Sequence, residues 1–133
     1  MPNLTKVGIA IIESNTIMLC RKRAEKHLIL PGGKPEAGED ALTCLRRELK
    51  EELGEVKLDE IQFVGTYMDV LAGDASKTVE VHLFMGRLTG QPRASSEIEE
   101  LIYFGRDDDW SQLAPSLKNR ILPDLIQRKI LSW

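Results

Sequence analysis

An apolar, β-branched run, Val7-Gly8-Ile9-Ala10-Ile11-Ile12, stands near the start of the chain. A second extended run, Thr16-Ile17-Met18-Leu19-Cys20, follows the turn signal Ser14-Asn15. Two such runs around a turn predict a β-hairpin. Arg21-Lys22-Arg23 then forms a basic knot, and the apolar stretch Leu28-Ile29-Leu30 stops abruptly at Pro31-Gly32-Gly33. From Asp40 to Leu53 the period lengthens. Leu42, Leu45, Leu49 and Leu53 recur at spacings of three and four, which predicts a helix with these leucines on one face. Gly54 follows the last of them and fits the position that ends a helix in the left-handed conformation.

The second half reads as extended first and helical last. Residues 61–70 and 78–88 are strand candidates, and in the latter Val79, Val81, Leu83 and Met85 alternate with Glu80, His82 and Phe84. Leu101-Ile102-Tyr103-Phe104 predicts a final short strand. An amphipathic helix is expected from Pro115 to Ile130, carrying Leu117, Ile121, Leu122, Leu125 and Ile126, with a kink or delay at Pro123. Repeats, low-complexity tracts and linkers are missing from the sequence, so one domain over residues 1–133 is expected. Strand and helix do not alternate regularly, which argues against a doubly wound parallel sheet.

Composition adds limits. The 133 residues are 42% hydrophobic and 29% charged, enough for one packed core under a polar surface. No apolar run approaches the roughly 20 residues of a membrane span. A net charge of -3 argues against a partner that is a nucleic acid polymer, whose phosphates call for a basic face. A small phosphorylated ligand fits if a divalent metal bridges it to acidic side chains. Cys20 and Cys44 belong to no CxxC pair and predict neither a disulfide nor a zinc site. The N-terminal Met1-Pro2-Asn3-Leu4-Thr5-Lys6 lacks an export pattern, so the cytoplasm is the expected address.

The chemistry concentrates in the first helix. At about 100° per residue, Glu48 and Glu52 lie on one side, one turn apart, with Glu51 close by. Like charges so placed cost roughly 0.2–0.5 kcal/mol per pair, and the helix C-terminus disfavours anions further. Arg46, Arg47 and Lys50 offset part of this. A hard cation would offset more, since Mg²⁺ takes a few carboxylates and fills its other positions with water and phosphate oxygens. In the loop before the helix, Gly32 and Gly33 allow backbone to approach a ligand closely. A glutamate cluster by itself is most often only a solvated face, and a Pro-Gly-Gly triplet most often only a turn.

Together the two halves resemble a known signature. Gly33, Glu39, Arg47, Glu48, Leu49, Glu51, Glu52 and Gly54 stand at the places of the Nudix box, here spanning 33–54. At residue frequencies of about 5–10%, seven identities match by chance on the order of once in 10⁸ start points. The chain departs from the family pattern at Glu55, where an apolar residue is usual, and at Leu28, often Trp in the family. The late strands and last helix also resemble the family layout.

The resemblance implies an α/β/α sandwich around a mixed sheet and a Mg²⁺-dependent phosphoanhydride hydrolase, with Mn²⁺ as an alternative metal. It implies Glu48, Glu51, Glu52 and the Gly32 carbonyl as metal ligands, with Glu48 or Glu51 as general base. Arg47 would orient the glutamates, while Glu39 and Gly54 would brace the box. Arg23, Gly33 and Asn119 would meet substrate, Asn119 at a nucleobase edge. A later acid often completes such a site. Glu97, Glu99 and Glu100 are candidates, with Glu100 as the expected ligand although spacing ranks it no higher than Glu97.

The expected reaction is cleavage of a nucleoside triphosphate, oxidised guanine nucleotides included, to monophosphate and pyrophosphate. An ADP-ribose or other nucleoside diphosphate sugar is an alternative. It is disfavoured because that subgroup carries a proline past its box and no proline occurs between Pro35 and Pro92. A regulatory module that binds nucleotide without cleaving it is the other class, and the intact carboxylates argue against it. Homodimers are common in the family, but no apolar stripe of this sequence compels one.

Overall fold

A computed structural model describes residues 2–133; Met1, which begins the expected domain, lies outside them. The chain forms β1 (Leu4–Ala10), β2 (Ile12–Glu13), β3 (Thr16–Lys22), β4 (Gly32–Gly33), α1 (Ala41–Leu53), β5 (Lys57–Leu71), β6 (Asp74–Thr89) and β7 (Ile98–Phe104). A closing helical segment contains a π-helical turn, Leu117–Ile121, that runs into α2 (Leu122–Gln127).

The strands build two sheets. One has the order β4-β1-β6-β5, with β1 parallel to β6 and the other neighbours antiparallel, so it is mixed. The other, β2-β3-β7, is antiparallel. The expected hairpin therefore needs correction. Its turn is real, with Ser14 and Asn15 both at positive φ (49° and 58°), the conformation that suits a two-residue connection. Only β2 pairs with β3, however, because the chain changes sheets at Ile11 and β1 joins β6 instead. A continuous apolar run hides this break, since both of its halves are buried. Leu28-Ile29-Leu30 makes only isolated bridges, Cys20 with Ile29 and Leu28 with Leu113.

Side-chain alternation in β1 divides the core. Val7, Ile9 and Ile11 pack against Cys44, Leu45, Leu49 and Leu53 of α1. Ala10, with Val79, Val81 and Leu83 of β6, packs under Leu117, Ile121, Leu122 and Leu125 of the closing helix. Helices thus cover both faces of the mixed sheet, giving the α/β/α sandwich. Full burial of each such aliphatic side chain contributes roughly 1.5–3 kcal/mol.

Three helix details differ from expectation. Leu42 falls in the first turn, before the packed sector begins, and is 41% exposed. Gly54 has positive φ but ψ of -143°, outside the left-handed helical region; its amide donates to the Lys50 carbonyl at 3.2 Å. The closing helix ends at Gln127 and widens just before Pro123, where Leu122 N donates to Leu117 O. Pro123 has no N–H and its ring crowds the carbonyl four residues back, so the wide turn falls where an α-helical bond is unavailable.

Candidate active site

Glu52 lies within the buried stripe of α1, between Leu45, Leu49 and Leu53, and is 2% exposed. The expectation of carboxylates at the core margin is thus exceeded for this residue. Its Oε1 accepts from the Gly32 amide at 2.9 Å, whereas its equally buried Oε2 has no hydrogen-bond partner. Burial pushes the carboxyl up to about 7; the Gly32 N–H pulls the other way and the Glu48 charge adds to the rise.

Glu48, one turn earlier, lies against β4. A Cβ on Gly33 would overlap the Glu48 carboxylate, so only glycine leaves that group its place. A side chain at Gly32, whose φ is +136°, would likewise strike the Val7 carbonyl on β1. The two glycines thus let strand, loop and helix carboxylates meet at close range.

Arg47 fixes the other side. Its Nε and Nη2 donate to Glu39 Oε2 and Oε1 at 2.8 and 2.9 Å, and its Nη1 donates to Glu48 Oε1 at 2.9 Å. Glu51 stands 3.7 Å from Nη1 and has a half-exposed side chain. The fork of hydrogen bonds from Arg47, with the Glu36 amide, holds the Glu39 carboxyl down at about 2, and these same bonds raise the guanidinium. Asp40 caps the helix by accepting from Thr43 N at 2.8 Å. At its far end, Ser95 N and Arg93 N donate to the Glu52 and Leu53 carbonyls, so the segment before β7 closes the helix C-terminus.

A cleft of about 560 Å³ opens beside these groups, with Gly33, Arg47, Glu48 and Glu97 among its lining residues. Lys6, Lys22 and Lys34 also face it. An apolar recess of about 50 Å³ continues from it toward the closing helix, lined by Val79, Val81 and Leu117 among others.

The remaining expected residues fall partly inside and partly outside this cleft. Glu100 pairs with Arg21 at 3.4 Å and does not line the cleft. Glu97 does, with Lys22 Nζ 3.3 Å away. Arg23 points to the Ser96 carbonyl at 2.9 Å, and its own amide donates to Glu97 O, so it braces the segment that carries Glu97. Asn119 donates to Asp69 Oδ2 at 3.1 Å on the exposed side of the closing segment. Lys6 was not signalled by the sequence: a lone lysine at the start of an apolar strand carries no motif, and its place in the cleft depends on β1 pairing with β4 and β6.

The donor set fits a hard divalent cation. Glu52 offers a buried oxygen without a partner, Glu48 sits beside it, and both are carboxylates. Among the described residues no three His, Cys, Asp or Glu side chains form a closed cage. That suits Mg²⁺, which takes one or two carboxylates and leaves positions for phosphate and water.

The chain has relatives of known structure. A MutT NUDIX hydrolase from Burkholderia pseudomallei is 26% identical, with a TM-score of 0.67 over 79% of this chain and 84% of that one. A NUDIX hydrolase from Nitrosomonas europaea shares the fold at 20% identity and a TM-score of 0.77, covering 97% and 91%. An ADP-ribose pyrophosphatase from Streptococcus suis does so at 22% and 0.59, covering 86% and 81%. No curated protein sequence matches the chain significantly. No helix among the described residues is long and apolar enough to cross a membrane. The family model for the NUDIX domain matches residues 2–125, taking in both sheets and the carboxylate helix. The chain therefore belongs to the NUDIX family of phosphoanhydride hydrolases, which act on small nucleotide substrates with the help of divalent metal ions.

Proposed function

We propose that this protein hydrolyses nucleoside triphosphates to the monophosphate and pyrophosphate in a Mg²⁺-dependent reaction, with Mn²⁺ as a substitute metal. The observation that carries this reading is Glu52: a buried carboxylate with one oxygen unpartnered, next to Glu48 and the Gly32-Gly33 strand. Bound there, Mg²⁺ supplies charge neutralisation and a water of lowered pKa. Glu48 and Glu52 would hold it together with the Gly32 carbonyl, and Glu51 would serve as a ligand or as the general base. Glu97, which faces the cleft, takes the part first assigned to Glu100. Arg47 keeps Glu48 oriented from behind.

Lys6, Lys22 and Lys34 line the cleft together with Glu25, Glu36, Glu48 and Glu97, so phosphate oxygens meet cations there beside carboxylates that a divalent ion would bridge to them.

The test is product release from a panel of nucleoside triphosphates, oxidised triphosphates and ADP-ribose, with Mg²⁺ or EDTA. Triphosphate cleavage that EDTA and Glu52→Gln both abolish is the expected result. Cleavage of ADP-ribose alone, or nucleotide binding without any cleavage, overturns the reading.

A further inference from the structure

Lys6 occupies the boundary between two spaces. It lines both the cleft and the apolar recess behind it. Arg47 and Glu48 line only the cleft, and Val79, Val81 and Leu117 line only the recess. Lys6 thus stands between the carboxylate rim, where a phosphoanhydride would be cleaved, and the apolar end, toward which an organic group would point.

Its ammonium lacks a partner. Lys22 is paired with Glu97 at 3.3 Å, but among the described residues Lys6 has neither an ion pair nor a side-chain hydrogen bond. It is partly buried; burial and the Lys22 charge lower its pKa, with Lys34 adding to this and the Glu52 carboxylate opposing it without forming an ion pair. A partly desolvated cation beside two like charges is costly unless an anion meets it. The recess also sets a limit. At about 50 Å³ it is far below the roughly 300 Å³ or more of a pocket that encloses an organic ligand. A space of that size admits no more than the edge of an organic group.

We infer that Lys6 is the specificity-determining contact for the phosphoryl group that remains on the organic part of the substrate, donating to its non-bridging oxygens. The inference rests on the reading of the cleft as the diphosphate site and adds the direction in which the substrate lies. The pyrophosphate portion then lies on the carboxylate side of Lys6, along the cleft that Lys22 and Lys34 also line. Lys6 makes no ion pair or side-chain hydrogen bond among the described residues, and methionine offers an unbranched stem of similar length without the charge.

Calorimetric binding to the full-length protein tests this, using ribose 5-phosphate, a nucleoside monophosphate and inorganic pyrophosphate as separate probes. Lys6→Met is expected to weaken both monoesters roughly tenfold, the loss of one charge-assisted hydrogen bond. Pyrophosphate binding should stay close to wild type, and Lys6→Arg should recover most of the monoester affinity. A Lys6→Met protein that binds all three probes as wild type does, or loses all three equally, overturns the assignment, as does a wild type that binds neither monoester. Failure of the triphosphate reading looks different: ribose 5-phosphate binding would remain dependent on Lys6 while no nucleoside triphosphate is cleaved.

Discussion

The Gly32 amide donates to Glu52 Oε1 at 2.9 Å, and this one bond is the hydrogen bonding that the buried Glu52 carboxyl receives. A charge in that position is poorly compensated until a cation arrives. The consequence can be read without substrate. In the folded, metal-free protein the Glu52 carboxyl titrates near 7, against 4.5 as its ordinary value. The folded state therefore binds more protons than the unfolded state between these limits, so stability is greatest below pH 4.5 on this account and is lost as pH rises through 7. The shift corresponds to roughly 3 kcal/mol at most. Urea unfolding in EDTA at pH 5.5 and pH 8 should show wild type weakening at the higher pH. Glu52→Gln should reduce that difference and be the more stable of the two at pH 8.

Metal should reverse the penalty. At pH 8, Mg²⁺ that binds the folded protein alone raises its stability by RT ln(1 + [Mg²⁺]/Kd), about 2.7 kcal/mol at a hundredfold excess over Kd. Thermal unfolding with and without Mg²⁺ is the measurement. A rise in Tm for wild type, absent in Glu52→Gln, is the expected pattern; an equal rise in both proteins would place the metal elsewhere.

Arg47 is held by a fork of bonds to Glu39 and by Glu48, and a lysine cannot reproduce that geometry. Arg47→Lys should lower kcat by about 10–100-fold, the range for residues that orient metal ligands, with KM changing less. If kcat is preserved, Arg47 braces the fold and does not orient Glu48.

How much of this was legible in the sequence follows from the range of the interactions involved. The carboxylate helix was, because Leu45, Leu49 and Leu53 repeat at helical spacing and Asp40 and Gly54 bound it. The break at Ile11 was not, since a run buried on both faces carries no mark where a chain changes sheets. Glu48 and Glu52 stood out by spacing, yet only packing shows that Glu52 is buried whereas Glu51 is half exposed. Arg23, Glu100 and Asn119 rest on the family resemblance, and their partners are 73, 79 and 50 residues away. Contacts of that separation leave no local pattern.

Gly33 offers a test by steric means alone. Any Cβ there overlaps the Glu48 carboxylate, so Gly33→Ala must displace Glu48 or the strand. Activity should fall at least as far as in Glu48→Gln, and the double variant should be no worse than the worse single one, because both changes remove the same group. Steady-state kinetics on the three variants decides it, and additive losses would mean that Gly33 acts independently of Glu48.

Glu97 and Glu100 lie three residues apart and point to different surroundings. Glu97 faces the cleft with Lys22, and Arg23 braces the Ser96 carbonyl beside it, while Glu100 is engaged with Arg21 at the side of the β3–β7 sheet. An acid in the cleft adds negative charge where a cation and phosphates are to be balanced; an exposed ion pair outside it is worth about 0–1 kcal/mol of stability and touches no chemistry. Glu97→Gln should therefore reduce kcat/KM by about tenfold or more and raise the Mg²⁺ concentration needed for half activity. Glu100→Gln should leave both close to wild type. Mg²⁺ titration of activity in the two variants distinguishes them, and a loss confined to Glu100→Gln would return the role to the residue the sequence first suggested.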